Sequence, residues 1–234
     1  MSVSSEHFYI IGHRGAAGEK FENSLEGFRY ALTLEIDAVE LDIRENSSEL
    51  WVFHDRDLER LTGIPGLFED HPDPAAIRLG NGEAVPTLKQ VLDLYWGKMP
   101  VNIEIKSITN LELLLQLLDR YPEPEAPHGL PWILISSFDH NIIQKLDQLD
   151  IAWPLAPITD LLHHQVAADL EHTTPFSWHF DHKCLDLDAV QKLREQGIPS
   201  LVFTVNDTEL ALQLRQQGVA GVFTDFPSQM IQID

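Results

Sequence analysis

The chain has 234 residues, 44% of them apolar, which suits one domain with a large core and excludes a disordered or collagen-like chain. With 37 acidic against 16 basic residues, the formal charge is -21, a balance that argues against nucleic acid and anionic membranes as partners. The only cysteine, Cys184, excludes an internal disulfide framework, leaves no cysteine cluster to support a structural zinc site, and reads as a partly buried small hydrophobe.

The opening segment, MSVSSEHFYIIGHRG, has no basic region followed by an apolar run of signal-peptide length. No stretch is long and apolar enough to span a bilayer. The expectation is a cytoplasmic protein without a membrane partner, as a monomer or homodimer.

In chain order, residues 8–12 (FYIIG) read as a first strand. A helix follows over 24–34, with Leu25, Phe28 and Leu32 on one side and Asn23 or Ser24 as its cap. Residues 38–44 (AVELDIR) form a second strand, and 49–55 (ELWVFHD) an antiparallel partner, because the turn ENSS is too short for a crossover helix. Residues 56–85 are rich in turn signals (TGIPG, EDHPDP, GNGE) and are expected to lie outside the main sheet. A helix then starts near Pro86 and stops before Gly97. Next come VNIEIKS at 101–107, a leucine-rich helix at 110–120, a proline-rich linker at 122–131 and the strand WILISSF at 132–138. A short helix, IIQKLDQLD, leads to strands at 153–159, 177–181, 200–205 and 220–225, with two strong helices between the last three, each closing on a glycine.

Without the hairpin arm, eight βα units remain, and the spacing predicts a closed (β/α)₈ barrel, a TIM barrel, as a single domain over residues 1–234 with a small insertion after the hairpin. An open doubly wound sheet is the rival, but no GxGxxG or GxxxxGK[ST] loop supports its nucleotide-binding forms.

Polar residues recur at the C-terminal ends of these strands, where closed barrels build active sites. His13 and Arg14 follow the first strand, Glu40 and Asp42 lie on the second, His54 and Asp55 end the hairpin arm, and Glu104 and Lys106 lie on the 101–107 strand. A spacing of two places Glu40 with Asp42, and Glu104 with Lys106, on one strand face, leaving Val39, Leu41, Ile43, Ile103 and Ile105 for the helices. Three carboxylates crowded into a barrel mouth are expensive unless a divalent cation is shared between them. An all-oxygen set suits Mg²⁺ or Ca²⁺ better than Zn²⁺. The competing account is a structural ion-pair network. Imidazole is the side chain suited to proton transfer near neutrality, which makes His13 and His54 candidates, Arg14 suits a bidentate phosphate contact, and Gly15 and Gly18 permit close backbone approach.

Other polar and aromatic groups carry less. His179, Asp181 and His182 are read as packed or solvated, and His163 and His164 as residues of a surface helix. Trp132, Trp153 and Trp178 are read as core or rim residues rather than a choline cage. Asp225 is assigned a structural role, closing the mouth through backbone hydrogen bonds.

Taken in order, IIGHRGAAG, FENSLEGF, AVELDIR, ELWVFHDRDLERLTG, VPTLKQVLDL, VNIEIKS, ISSF, FTVND and GVFTDFP resemble the glycerophosphodiester phosphodiesterases over nearly the whole chain. The resemblance implies a barrel like that of phosphatidylinositol-specific phospholipase C, and hydrolysis of glycerophosphocholine or glycerophosphoethanolamine to glycerol 3-phosphate and an alcohol. It also implies His13 and His54 as the acid–base pair, Glu40, Asp42 and Glu104 as ligands of one Mg²⁺ or Ca²⁺, and Arg14 and Lys106 as phosphate contacts. Glu22 and Asn23 would support the first histidine loop and the phosphate site. Attack by the glycerol 2-hydroxyl, with water opening a cyclic phosphate afterwards, is one route that such a site allows.

The chain departs from the family pattern at three places. The hairpin turn ENSSE lacks the usual glycine, and Phe203 replaces the usual tryptophan before TVN, altering the wall near the glycerol or alcohol moiety. The insertion is short, so the expected site is open and weakly selective for the leaving alcohol. Two alternatives stay open at this stage: a related phospholipase C- or D-like lipid hydrolase, and a catalytically inactive glycerophosphodiester-binding barrel.

Overall fold

A computed structural model describes residues 7–121, 129–160 and 174–233. Residues 122–128 of the proline-rich linker, and His163 and His164, lie outside the described residues. Nine strands form one sheet: β1 (Tyr9–Gly12), β2 (Ala38–Asn46), β3 (Glu49–Val52), β4 (Val101–Ser107), β5 (Ile133–Ser137), β6 (Leu155–Thr159), β7 (Trp178–Asp181), β8 (Ser200–Phe203) and β9 (Gly221–Thr224). Their order is β1-β9-β8-β7-β6-β5-β4-β2-β3, and β1 also pairs with β2, so eight strands close a parallel barrel and β3 hangs outside it. The (β/α)₈ architecture expected from the sequence is therefore present.

The hairpin arm is shorter than its 49–55 run. Antiparallel pairing extends from Asn46↔Glu49 to Ile43↔Val52, after which His54 and Asp55 have left the ladder. Ser47 and Ser48 turn the hairpin with φ of 53° and 57°, a left-handed pair normally supplied by Asn-Gly.

Alternation on each strand divides core from mouth. Val39, Leu41, Ile43, Ile103 and Ile105 are buried against the outer helices in the largest apolar cluster, so their neighbours Glu40, Asp42 and Glu104 face the barrel interior. The β2–β4 register sets Glu40 opposite Asn102 and Asp42 opposite Glu104. Three acids on two adjacent strands thereby become one cluster.

The helices are started and stopped by local chemistry. Ser24, not Asn23, caps the helix Leu25–Ala31 by accepting the Gly27 N–H, and Thr87 with Gln90 makes a full capping box for Leu88–Tyr95. Gly97, Gly197 and Gly218 follow their helices at φ of 71°, 77° and 92°. The 56–85 excursion builds a small core of its own, in which Phe53 stacks on Phe68 at 4.8 Å and Leu58, Leu61, Ile77 and Leu79 are buried around them. Trp178 is fully buried, and Trp132 and Trp153 are nearly so, which places all three in packing roles. Among the described residues, no helix is long and apolar enough to cross a membrane.

Candidate active site at the barrel mouth

Carboxylate oxygens of Glu40, Asp42 and Glu104 lie within 4.8 Å of one another at the C-terminal ends of β2 and β4. All three residues are buried. Asp42 is the best neutralised: it accepts Asn23 Nδ2–H at 2.9 Å and has Arg14 Nε at 3.2 Å and Lys106 Nζ at 3.3 Å. Burial alone would raise its pKa, but Lys106 and Arg14 hold it far below the usual carboxylate range. Glu40 moves the other way. Burial, then the charges of Asp42 and Glu104, push its carboxyl well above its ordinary value. Glu104 is pushed up to about 7 by burial and Asp42, even though Lys106 pairs with it directly.

These opposed shifts mean that protein cations alone do not balance three ionised acids. Glu40 Oε2 accepts the Arg14 backbone N–H at 2.8 Å, but its Oε1 is buried without a hydrogen-bond partner. A hard divalent cation fits this donor set: all ligands are oxygens, the spacing is tight, and Glu40 Oε1 is an orphaned acceptor.

The two histidines flank this cluster, each oriented by a carboxylate. His13 donates Nδ1–H to Asp225 Oδ1 at 2.6 Å, which turns its Nε2 toward Glu40 Oε2, 3.9 Å away. Asp225 is itself fixed by Asn206, whose Nδ2–H reaches Asp225 Oδ2 at 2.8 Å and whose Oδ1 accepts the Asp225 backbone N–H at 2.9 Å. The structural role read for Asp225 extends to its side chain. Its carbonyl accepts from Gly18, and its side chain holds His13. His54 donates Nδ1–H to Asp55 Oδ1 at 2.7 Å. Burial lowers the pKa of His54, Lys106 and Arg14 lower it further, and Asp42 opposes them.

Arg14 and Asn23 adopt left-handed backbone, with φ of 49° and 52°. Asparagine tolerates this conformation, whereas for arginine it costs about 1–2 kcal/mol. The turn is held by the bond from Asn23 N–H to the Arg14 carbonyl and by Gly15 at φ 86°. It delivers the Arg14 guanidinium between Asp42 and Glu22, the latter accepting NH1–H at 2.8 Å. Lys106 lies over the face of Phe138 at 5.2 Å, and Phe138 meets Phe203 edge-on at 5.8 Å, so an aromatic rim borders the cationic side.

Every candidate from the sequence therefore gathers at this mouth: His13, His54, Arg14, Glu22, Asn23, Lys106, Phe203, Glu40, Asp42 and Glu104. Glu22 and Asn23 contact Arg14 and Asp42 respectively. Residues missed at the sequence level are Asn206, Asn102 and Phe138. Asn102 is buried and faces the same pocket as His13, Glu40 and Phe203. Its position two before Glu104 was a usable signal, since the parity is the same. His179 is buried in this pocket wall, bonded to Ser177 Oγ at 3.0 Å, and burial lowers its pKa to about 3, so it is a packed neutral imidazole. Asp181 instead accepts the Lys183 N–H at 2.9 Å, outside this constellation.

The chain is similar to known proteins over nearly its whole length. The model of the glycerophosphoryl diester phosphodiesterase family matches residues 13–229. The chain is 28% identical to a glycerophosphodiester phosphodiesterase of Bacillus altitudinis, covering 96% of this chain and 97% of that one. It is 31% identical to a lysophospholipase D of Rattus norvegicus, covering 94% and 84%. A solved phosphodiesterase of Oleispira antarctica, in complex with the product sn-glycerol-3-phosphate, superposes with a TM-score of 0.86 at 26% identity, over 100% of this chain and 99% of that one.

Proposed function

This chain belongs to the glycerophosphoryl diester phosphodiesterase family, and from that premise we propose that it cleaves glycerophosphocholine, glycerophosphoethanolamine and related diesters to sn-glycerol 3-phosphate and an alcohol. The observation that carries the reading is the paired arrangement of the histidines. His13 and His54 each give Nδ1–H to a carboxylate, and so each presents Nε2 for proton transfer beside one acidic cluster. An inactive binding barrel has no need of two imidazoles so oriented. The product bound to the Oleispira antarctica protein is the product that this chemistry releases.

In this reading Glu40, Asp42 and Glu104 hold one Mg²⁺ or Ca²⁺. When bound, that ion supplies Lewis-acid stabilisation of charge on the phosphoryl oxygens. Arg14 and Lys106 bind the phosphate from the same side, released from part of their pairing with the acids. One histidine takes the proton of the attacking hydroxyl, and the other returns a proton to the leaving oxygen. The glycerol 2-hydroxyl is the nearest nucleophile the substrate carries; its intramolecular attack expels the alcohol and leaves a cyclic phosphate, which water then opens to glycerol 3-phosphate. Phe203, with Phe138 beside it, walls the end of the site that takes the organic groups.

A second reading has one specific support. The likeness to a lysophospholipase D, together with Phe138 being 41% exposed at the rim, suits a substrate that keeps one acyl chain.

The deciding assay follows release of glycerol 3-phosphate from the two glycerophosphodiesters after EDTA treatment and again with Mg²⁺ or Ca²⁺ restored. Metal-restored turnover supports the reading. Folded protein inactive with either ion but active on lysophosphatidylcholine moves the assignment to the second reading. A substrate whose 2-hydroxyl is replaced by hydrogen tests the nucleophile, and unchanged turnover there excludes obligatory attack by that group.

A further inference from the structure

His54 stands where the sheet no longer holds the chain. β3 ends at Val52, and the last backbone link to β2 is the Phe53 N–H donated to the Asp42 carbonyl at 3.0 Å. The His54 carbonyl has no ladder partner; it accepts from Arg44 Nε at 3.0 Å and Arg44 NH2 at 2.9 Å. Arg44 is buried and pairs in turn with Glu69. On the other side, the Asp55 carboxylate that orients the His54 ring is gripped by Arg60, with Nε–H to Oδ2 at 2.6 Å and NH2–H to Oδ1 at 2.9 Å. The same guanidinium reaches Glu22 at 2.7 and 2.8 Å, and Glu22 accepts from Arg14.

Arg60 and Glu69 both come from the 56–85 excursion. Arg60 lies on the short helix Glu59–Thr62 between the buried Leu58 and Leu61, and Glu69 follows Phe68, which stacks on Phe53 next to His54. An exposed ion pair contributes little to folding. The Arg60 side chain is 49% exposed, yet four of its N–H bonds go to carboxylates that bear on the His54 and Arg14 loops. Fixed forks of this kind serve to orient groups.

We propose that the excursion after the hairpin is a positioning device for His54, acting through Arg60 on the Asp55 carboxylate and through Glu69 on Arg44 and the His54 carbonyl. In this role Arg60 and Glu69 act on other side chains rather than on the substrate. They fix the ring that acts on it, and Arg60 couples that ring to the Arg14 loop through Glu22. This inference rests on the reading of His54 as one of the acid–base pair.

The test uses the full chain with Arg60→Ala, Arg60→Lys and Glu69→Gln. For Arg60→Ala and Glu69→Gln, kcat on glycerophosphocholine should fall by about tenfold or more while KM stays within about threefold, because misplacing one catalytic group slows chemistry more than binding. Arg60→Lys should recover only a minor part of the loss, since it keeps the charge and loses the fork. If Arg60→Ala does not fold, Glu69→Gln carries the kinetic test. A second readout is the ¹⁵N spectrum of the His54 imidazole. The wild type should show one neutral tautomer protonated at Nδ1, and the variants a mixture. Folded variants with unchanged kcat and an unchanged His54 spectrum overturn the proposal. A wild type inactive on every glycerophosphodiester overturns the functional reading instead, and the spectrum then decides the positioning on its own.

Discussion

Asp225 Oδ1 accepts the Nδ1–H of His13 at 2.6 Å, across the seam where β9 meets β1 and between residues 212 positions apart in the chain. The contact selects the neutral tautomer of His13 that leaves Nε2 free, and it places a negative charge behind the ring as it gains a proton. Burial alone would raise the Asp225 pKa, but the hydrogen bond from His13 holds it below its ordinary value, so the carboxylate stays charged through the working range. Asp225→Asn keeps the shape and loses the charge. The expected result is a kcat loss between about 10²- and 10⁴-fold, as for other imidazoles deprived of an orienting carboxylate, with the thermal midpoint little changed. Steady-state kinetics beside a melting curve checks this. An undiminished kcat would show that His13 does not depend on Asp225.

The acidic cluster gives a prediction with a definite sign in pH. In the metal-free protein, burial and then Asp42 push Glu104 up to about 7, above the unfolded value near 4.3. Between those values the folded state binds more protons than the unfolded one, so this residue's contribution to stability falls as pH rises from about 4.5 to 7. With EDTA present, Glu104→Gln should therefore gain stability relative to wild type at pH 8 compared with pH 5. Mg²⁺ or Ca²⁺ should raise the wild-type melting temperature more at pH 8 than at pH 5, because binding needs the deprotonated acid. Equal metal-induced shifts at both pH values would argue against the triad as the ion's site.

What was legible in the sequence was what a short window contains. Glu40 with Asp42, and Glu104 with Lys106, share a face by parity alone, and eight strand-like runs separated by helical periods imply a closed barrel. Links made by closure were not legible. Strand order was needed to bring Asp225 and Asn206 to His13, although an acid ending the last strand of a closed barrel must lie next to the first. Arg60 stood in a stretch whose turn signals said only that the chain left the sheet. Turn chemistry reports local backbone and is silent about which distant carboxylate a guanidinium will find. The cap was open between Asn23 and Ser24 because either side chain can serve. The choice went to Ser24 because Asp42, far along the chain, takes the Asn23 amide.

The burial of His179 predicts sensitivity to acid. It is 1% exposed, and burial lowers its pKa to about 3, well below the unfolded value near 6.5. Between these values the unfolded state binds the extra proton, so stability is complete above about 6.5 and declines as pH falls toward 3, by up to roughly 1.4 kcal/mol per pH unit. His179→Gln keeps a hydrogen-bonding group near Ser177 Oγ and cannot titrate. Urea titrations at pH 7 and pH 4.5 should show wild type losing more stability than the variant over that interval. Parallel losses in the two proteins would mean that acid acts elsewhere.

The hairpin turn offers a change that should help. Ser47 and Ser48 both hold positive φ, 53° and 57°, which costs a residue with a Cβ about 1–2 kcal/mol relative to right-handed backbone. The turn joins β2 to β3 and lies at the far end of both strands from the β1 seam, with Asn46 anchoring it by donating to the Phe68 and His71 carbonyls. Glycine at position 48 meets the φ requirement of this turn without strain, although it adds freedom to the unfolded chain. Ser48→Gly should therefore gain about 1 kcal/mol in chemical denaturation, the relieved strain less the added unfolded-state entropy. Its kcat should match wild type, because the turn touches neither histidine nor the acids. A loss of stability would show that the Ser48 side chain holds this turn more firmly than backbone preference opposes it.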